Sequence, residues 1–156
     1  MKHAITAGAL ALAFGLASIP ADAKDIPAGG VTYAEIAAWM QGAGFQAKVQ
    51  GTGDSQNILS SSDGGPFHIY LYDCKAGRCG SLQFAEGFDT KGAYNATQMN
   101  DWNQHNRWGR AYVDKVNDPW IEMDVDLTPG GTYELLNDNF ATWRSTLSHF
   151  RKTMAK

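Results

Sequence analysis

Phe67-His68-Ile69-Tyr70-Leu71-Tyr72-Asp73-Cys74-Lys75-Ala76-Gly77-Arg78-Cys79-Gly80-Ser81-Leu82-Gln83-Phe84-Ala85-Glu86 decides the fold. Two alternating runs flank the turn-forming Lys75-Ala76-Gly77-Arg78, and a cysteine closes each run. Setting Cys74 opposite Cys79 puts Tyr72 opposite Ser81, Tyr70 opposite Gln83 and His68 opposite Ala85. The other face then pairs Leu71 with Leu82 and Ile69 with Phe84. One face is polar or amphipathic and the other wholly apolar. A slip of one residue would send every side chain to the wrong face. The stretch therefore reads as a β-hairpin with its register fixed and one face buried.

The thiol pair admits three chemistries. Opposed hairpin positions bring Cβ atoms within bridging distance, which suits a structural disulfide between Cys74 and Cys79. Half of a metal site would need two more ligands from His68, His105 and His149, which sit on separate segments. A redox pair of the thioredoxin type has two intervening residues rather than four, and a helix N-terminus behind it to acidify a thiol. The disulfide is the expectation, with no metal and no cofactor.

Residues 1–23 read as an export signal. Lys2 is the basic start, Ala4 to Ile19 is apolar or small throughout, and Ala21-Asp22-Ala23 is a cleavage site. The mature chain would begin at Lys24, in the periplasm or outside the cell, where disulfides persist. A short linker, 24–31, precedes one domain, 32–156. The whole sequence has 13 basic and 16 acidic residues, a net charge of −3. Cleavage removes one of each and leaves that balance unchanged. A mildly acidic domain lacks the basic footprint of a nucleic-acid binder and the basic amphipathic helix of a membrane-surface protein.

Thr32 with Glu35 forms a capping box, and Tyr33, Ile36, Ala37 and Met40 share a helix face. Phe45 to Gln50 and Asn57 to Ser61 read as strands, and Ser62-Asp63-Gly64-Gly65-Pro66 as the turn before the hairpin. Asn95 to Asn106 reads as a surface helix with a narrow stripe of Met99 and Trp102. Trp108 to Asp114 and Trp120 to Leu127 alternate as strands. Leu136, Phe140, Trp143, Leu147, Phe150 and Met154 recur at steps of four and three, which predicts a long amphipathic helix. Its natural partner is the apolar face of the sheet. The class is α+β, an antiparallel twisted sheet with helices on one face, in the order α-β-β-β-β-α-β-β-α.

No constellation assembles a reaction. Glu122, Asp124 and Asp126 share one strand face, where carboxylates could act as acid and base or hold calcium. The simpler reading is a solvated row neutralised by Arg107 or Arg110. His105 and Asp101 lie four apart on one helix, without a nucleophile at a strained turn. No glycine-rich phosphate loop is present. The outer hairpin face, with His68, Tyr70, Tyr72, Ser81 and Gln83, has the aromatic and polar mixture of a binding surface or dimer interface. It equally suits a face covered by the chain's own loops.

Several segments together resemble the YbjN family, also called bacterial sensory transduction regulators. They are Cys79-Gly80-Ser81-Leu82-Gln83-Phe84 with Phe88, then Trp102-Asn103 with Asn106-Arg107 and Ala111-Tyr112, then Asp118-Pro119 with Glu122-Met123-Asp124, and a last helix holding Trp143. In that order they span most of residues 32–152. The resemblance implies a fold like that of type III secretion chaperones, a bent antiparallel sheet with helices against it. Some relatives of that fold dimerise and hold extended partner segments. The family brings no catalytic residues, and its cytoplasmic members lack the export signal seen here.

The expected function is therefore a non-enzymatic binding module of the cell envelope. It would hold a protein or peptide partner, or pair as a homodimer, through strand addition or groove binding. Tyr70, Tyr72 and Trp120 are the expected binding residues, each projecting from an outer face. The alternative is a small-ligand or metal-dependent envelope enzyme built on His105 and the carboxylates.

Overall fold

In the computed structural model, residues 24–154 are described. The expected export signal, residues 1–23, lies outside them. Among the described residues the elements are α1 (Tyr33–Gly42), β1 (Ala47–Gln50), β2 (Asn57–Ser62), β3 (Gly65–Lys75), β4 (Arg78–Gly87), α2 (Ala96–His105), β5 (Arg110–Val113), β6 (Pro119–Asp126) and α3 (Tyr133–Met154), with one short 3-10 turn at Gly53–Ser55. Six strands form one antiparallel sheet in the order β1-β2-β3-β4-β6-β5. The chain is α+β in the order read from the sequence.

The hairpin pairs as its pattern requires: Cys74 with Cys79, Tyr72 with Ser81, Tyr70 with Gln83, His68 with Ala85, Leu71 with Leu82 and Ile69 with Phe84. Asp73, at φ 55°, and Gly80 opposite it drop out of the ladder. A disulfide joins Cys74 and Cys79. Before the hairpin, Asp63 and Gly64 both take positive φ (50° and 95°) between the paired Ser62 and Gly65. Such a two-residue turn matches strand twist, so β3 starts at Gly65 and the expected five-residue loop shrinks to Asp63 and Gly64.

Two strands are shorter than the alternation suggests. Phe45 leaves β1 to pack edge-on against Phe140, at 4.9 Å between ring centres. Gly109, at φ 78°, breaks the run before β5, leaving Trp108 half exposed beneath the Arg107 guanidinium. Residues 24–31 are not a free linker. Ile26 and Val31 are buried, and Val31 and Cys79 exchange backbone hydrogen bonds of 3.0 and 2.7 Å. Gly30 makes this approach possible, because a Cβ there would strike the Cys79 carbonyl. The same bridge explains why Cys79 is buried while Cys74 is exposed.

The inner face of the sheet carries Ile58, Phe67, Ile69, Leu71, Leu82, Phe84, Ile121, Met123 and Val125, all buried. Against it lie Leu136, Phe140, Trp143, Leu147 and Phe150 of α3, with Ile36 and Met40 of α1 and Met99 and Trp102 of α2 in the same core. Trp143 stacks on Phe84 at 5.7 Å, and Trp102 meets Phe150 edge-on at 5.1 Å. Each such side chain contributes roughly 1.5–3 kcal/mol of transfer free energy. Asn95 and Thr32 close reciprocal capping boxes at the starts of α2 and α1.

Candidate binding face

Because all the described helices share the inner face, the outer face of the sheet is left without a covering element. Register assigns its residues row by row. Leu59, His68, Ala85, Glu122 and Arg110 lie in one row, and Asn57, Gln83 and Asp124 in the next with Tyr70 between them. Tyr72, Ser81 and Asp126 form a third, and Gly87, Trp120 and Tyr112 a fourth. Tyr70, Tyr72 and Trp120 thus share one surface, but they are not equivalent. Tyr72 is 47% exposed, whereas Tyr70 and Trp120 are half-buried. Trp120 does not project freely. It lies flat across Gly87, where a Cβ would collide with the indole, and stacks on Tyr112 at 6.4 Å with 13° between planes.

The carboxylate row is not uniformly solvated. Glu122 is buried at 9% exposure, while Asp124 and Asp126 are exposed. Glu122 Oε1 accepts from the Tyr112 hydroxyl at 2.7 Å, and Oε2 accepts from Arg110 and from Gln83 Nε2 at 3.4 Å. Gln83 Nε2 also donates to Asp124 Oδ1 at 2.7 Å, and its Oε1 accepts from the Tyr72 hydroxyl at 3.4 Å. A buried charge needs this many partners. Of the two arginines expected to neutralise the row, Arg110 pairs with it and Arg107 instead caps the Trp108 ring. Burial, then the Glu122 charge, holds the Tyr70 and Tyr72 phenols above their ordinary pKa. Burial and the Glu122 hydrogen bond do the same for Tyr112. All three remain hydrogen-bond donors at neutral pH. His68 stacks on Tyr70 at 5.9 Å, and desolvation lowers its pKa, favouring the neutral ring.

The proposed His105 and carboxylate constellation does not form. His105 is exposed on α2, its Nδ1 2.7 Å from the Asp101 carbonyl, in a groove between α2 and α3. The carboxylates project from the opposite side of the sheet. Among the described residues, no three His, Cys, Asp or Glu side chains converge to hold a metal ion.

The segments that carried the family resemblance are structural in their contacts. Asn103 donates to the Ala111 carbonyl at 2.9 Å and accepts from the Ala111 N–H at 2.8 Å, taking the place of a further strand at the β5 edge. Asn106 donates to the Trp102 carbonyl at 2.8 Å and ends α2. Asp118 accepts from the Thr90 and Gly92 N–H groups at 2.8 and 3.1 Å, pinning the β4–α2 loop to the β5–β6 turn. A family model described as "Putative bacterial sensory transduction regulator" matches residues 32–156. The chain belongs to the YbjN family. A comparison with curated proteins finds no match. The YbjN description is regulatory and names no reaction.

Sequence reasoning missed one ionic cluster. Glu86 is buried on the helix side and faces Arg151 of α3, whose Nη2 lies 2.6 Å from the carboxylate. Arg151 also donates to the Ser62 and Pro66 carbonyls at 2.5 and 3.1 Å. The signal was present in the pattern: Glu86 continues the apolar parity of Leu82 and Phe84.

Proposed function

We propose that this YbjN protein is an exported, non-enzymatic regulatory module that holds a protein or peptide partner on the outer face of its sheet. The observation that carries this reading is the segregation of layers. The described helices pack on one face, and the other presents Tyr70, Tyr72, Tyr112 and Trp120 with no element over them. Tyrosine and tryptophan are the side chains that anchor interfaces. The regulatory family description supports the same reading. Export rests on the N-terminal pattern at residues 1–23, and the disulfide suits an oxidising compartment.

The edges are less suited than the face. Asn103 occupies the backbone groups of Ala111 on β5, and Gln41 donates to the Ala47 carbonyl on β1 at 2.8 Å. Both edge strands have only four residues. Short, occupied edges resist strand addition, so side-chain docking on the face is the favoured mode.

The test is affinity capture from the envelope fraction with the wild-type protein and with Tyr70→Ala/Tyr72→Ala. A partner, or a second copy of the chain, captured by the wild type and lost in the variant supports the reading. Equal capture by both proteins removes the face from consideration.

A further inference from the structure

We propose that the outer face is built to take a cationic partner segment, an extended stretch bearing Lys or Arg, at the end of the sheet marked by Tyr72, Asp124 and Asp126. The inference rests on the binding-face reading above and specifies its partner. Four carboxylates (Asp73, Glu122, Asp124 and Asp126) stand on this face against two cations, Lys48 and Arg110. Neither is placed to neutralise the far end, and Lys75, at the hairpin tip beyond Cys74, forms no ion pair there with a described residue. Arg110 is engaged by Glu122, and Lys48 lies on the edge strand β1, separated from β6 by three strands. Asp73 reaches the face because its positive φ turns its carboxylate onto Ser81 Oγ, at 2.6 Å. Ser81 pairs with Asp126 on one side and Tyr72 on the other. Asp73, Asp124 and Asp126 therefore share the end of the sheet that carries the most exposed aromatic ring of the face, and none of the three takes part in an ion pair with a described residue.

Carboxylates beside an accessible phenol ring suit an ammonium or guanidinium group, which gains Coulomb attraction and the face of the ring together. Neighbouring strands lie about 4.8 Å apart and alternate residues about 6.8 Å apart. An extended segment crossing the face could thus set successive cations over successive carboxylates. A second copy of the chain is the poorer occupant, because a face-to-face dimer would oppose one acidic patch to another.

The test uses the full-length protein, isotope-labelled for NMR, and three short peptides alternating Val with Lys, with Glu or with Ser. The expected result is that the Lys peptide alone shifts the Tyr70, Tyr72 and Ser81 resonances, less so at high salt. Asp124→Asn/Asp126→Asn should weaken its binding by roughly tenfold. Glu134→Gln/Asp138→Asn, which removes two exposed charges from α3, should leave it unchanged. Equal losses in both double variants would reduce the effect to net charge and overturn the proposal. If all three peptides bind equally on this face and Tyr72→Ala abolishes them, the charge inference fails while the face reading stands. If no peptide shifts these resonances, or concentration alone does by self-association, the cationic partner is rejected.

Discussion

Single side chains in this molecule do work that elsewhere falls to whole elements. Asn103 satisfies both backbone groups of Ala111, at 2.8 and 2.9 Å, and so terminates the sheet with an amide in place of a strand. Asn103→Ala leaves those groups without a protein partner beside α2. We expect a loss of about 1–3 kcal/mol by urea titration and faster exchange of the Ala111 amide. Unaltered exchange would mean that the clamp does not hold the edge. Arg151 is the second such residue. It fastens α3 to the β2–β3 turn and neutralises Glu86, whose carboxyl is raised above its ordinary value of 4.5 by burial that outweighs the arginine. Arg151→Ala strands a buried carboxylate, a change that costs about 3–5 kcal/mol. A group with a raised folded pKa stabilises most below its unfolded value, and that contribution is lost as pH rises through the folded value. The Arg151→Ala deficit should therefore shrink in acid, and Glu86→Gln added to it should restore part of the stability at neutral pH. A deficit independent of pH would place the loss in the carbonyl contacts instead.

At the level of elements, the disulfide and the apolar alternation specify the same hairpin register independently. Cys74→Ser/Cys79→Ser opens a very short loop, so the expected cost is about 2 kcal/mol. Leu71, Leu82, Ile69 and Phe84 should keep the pairing unchanged in cross-strand NOEs. Loss of those NOEs would show that sulfur, not burial, sets the register. The same redundancy explains which features were legible in the sequence. The hairpin and α1 with its capping box each carried two concordant signals, α3 carried one stripe of six apolar residues, and each stands where the pattern put it. Phe45 and Trp108 carried only alternation, and each is drawn off its strand by something no pattern records: a ring to meet in α3, and a glycine at positive φ. The aromatic face was legible as composition. Its wiring was not, because Glu122 reads as one of three equivalent acids until Tyr112, Gln83 and Arg110 are brought around it from β4 and β5. Residues 24–31 lacked periodicity, and it is contacts across the fold, Val31 with Cys79 and Asp25 with Thr132, that tie them to the folded core.

Across the whole molecule, ionisable groups couple the fold to pH in opposing senses, and their balance gives one further prediction. Asp63 is depressed below 3.8 by the hydrogen bond from Arg144, against the pull of burial. Asp118 is depressed by the Gly92 and Thr90 N–H groups. For Glu35, burial acts upward, but the Thr32 N–H and Arg78 together prevail and its pKa falls below 4.5. His68 is depressed below 6.5 by desolvation. A depressed group contributes stability that is complete above its unfolded pKa and is lost as pH falls through the folded one. His68 therefore acts first, below about pH 6.5, and the carboxylates only in stronger acid. Glu86 opposes them, since its contribution grows as pH falls toward 4.5. The melting temperature should be flat from neutral pH upward through the mildly alkaline range, where the tyrosines of the outer face stay protonated. It should decline shallowly as His68 becomes charged and steeply once the carboxylates do. His68→Gln should remove the shallow limb and leave the steep one, because a neutral amide can keep a hydrogen bond to Asn57 without the desolvated charge. A wild-type profile with no limb between pH 6.5 and 5, or one that survives in His68→Gln, would show that the outer face is wetter at His68 than its burial among Leu59, Tyr70 and Ala85 implies.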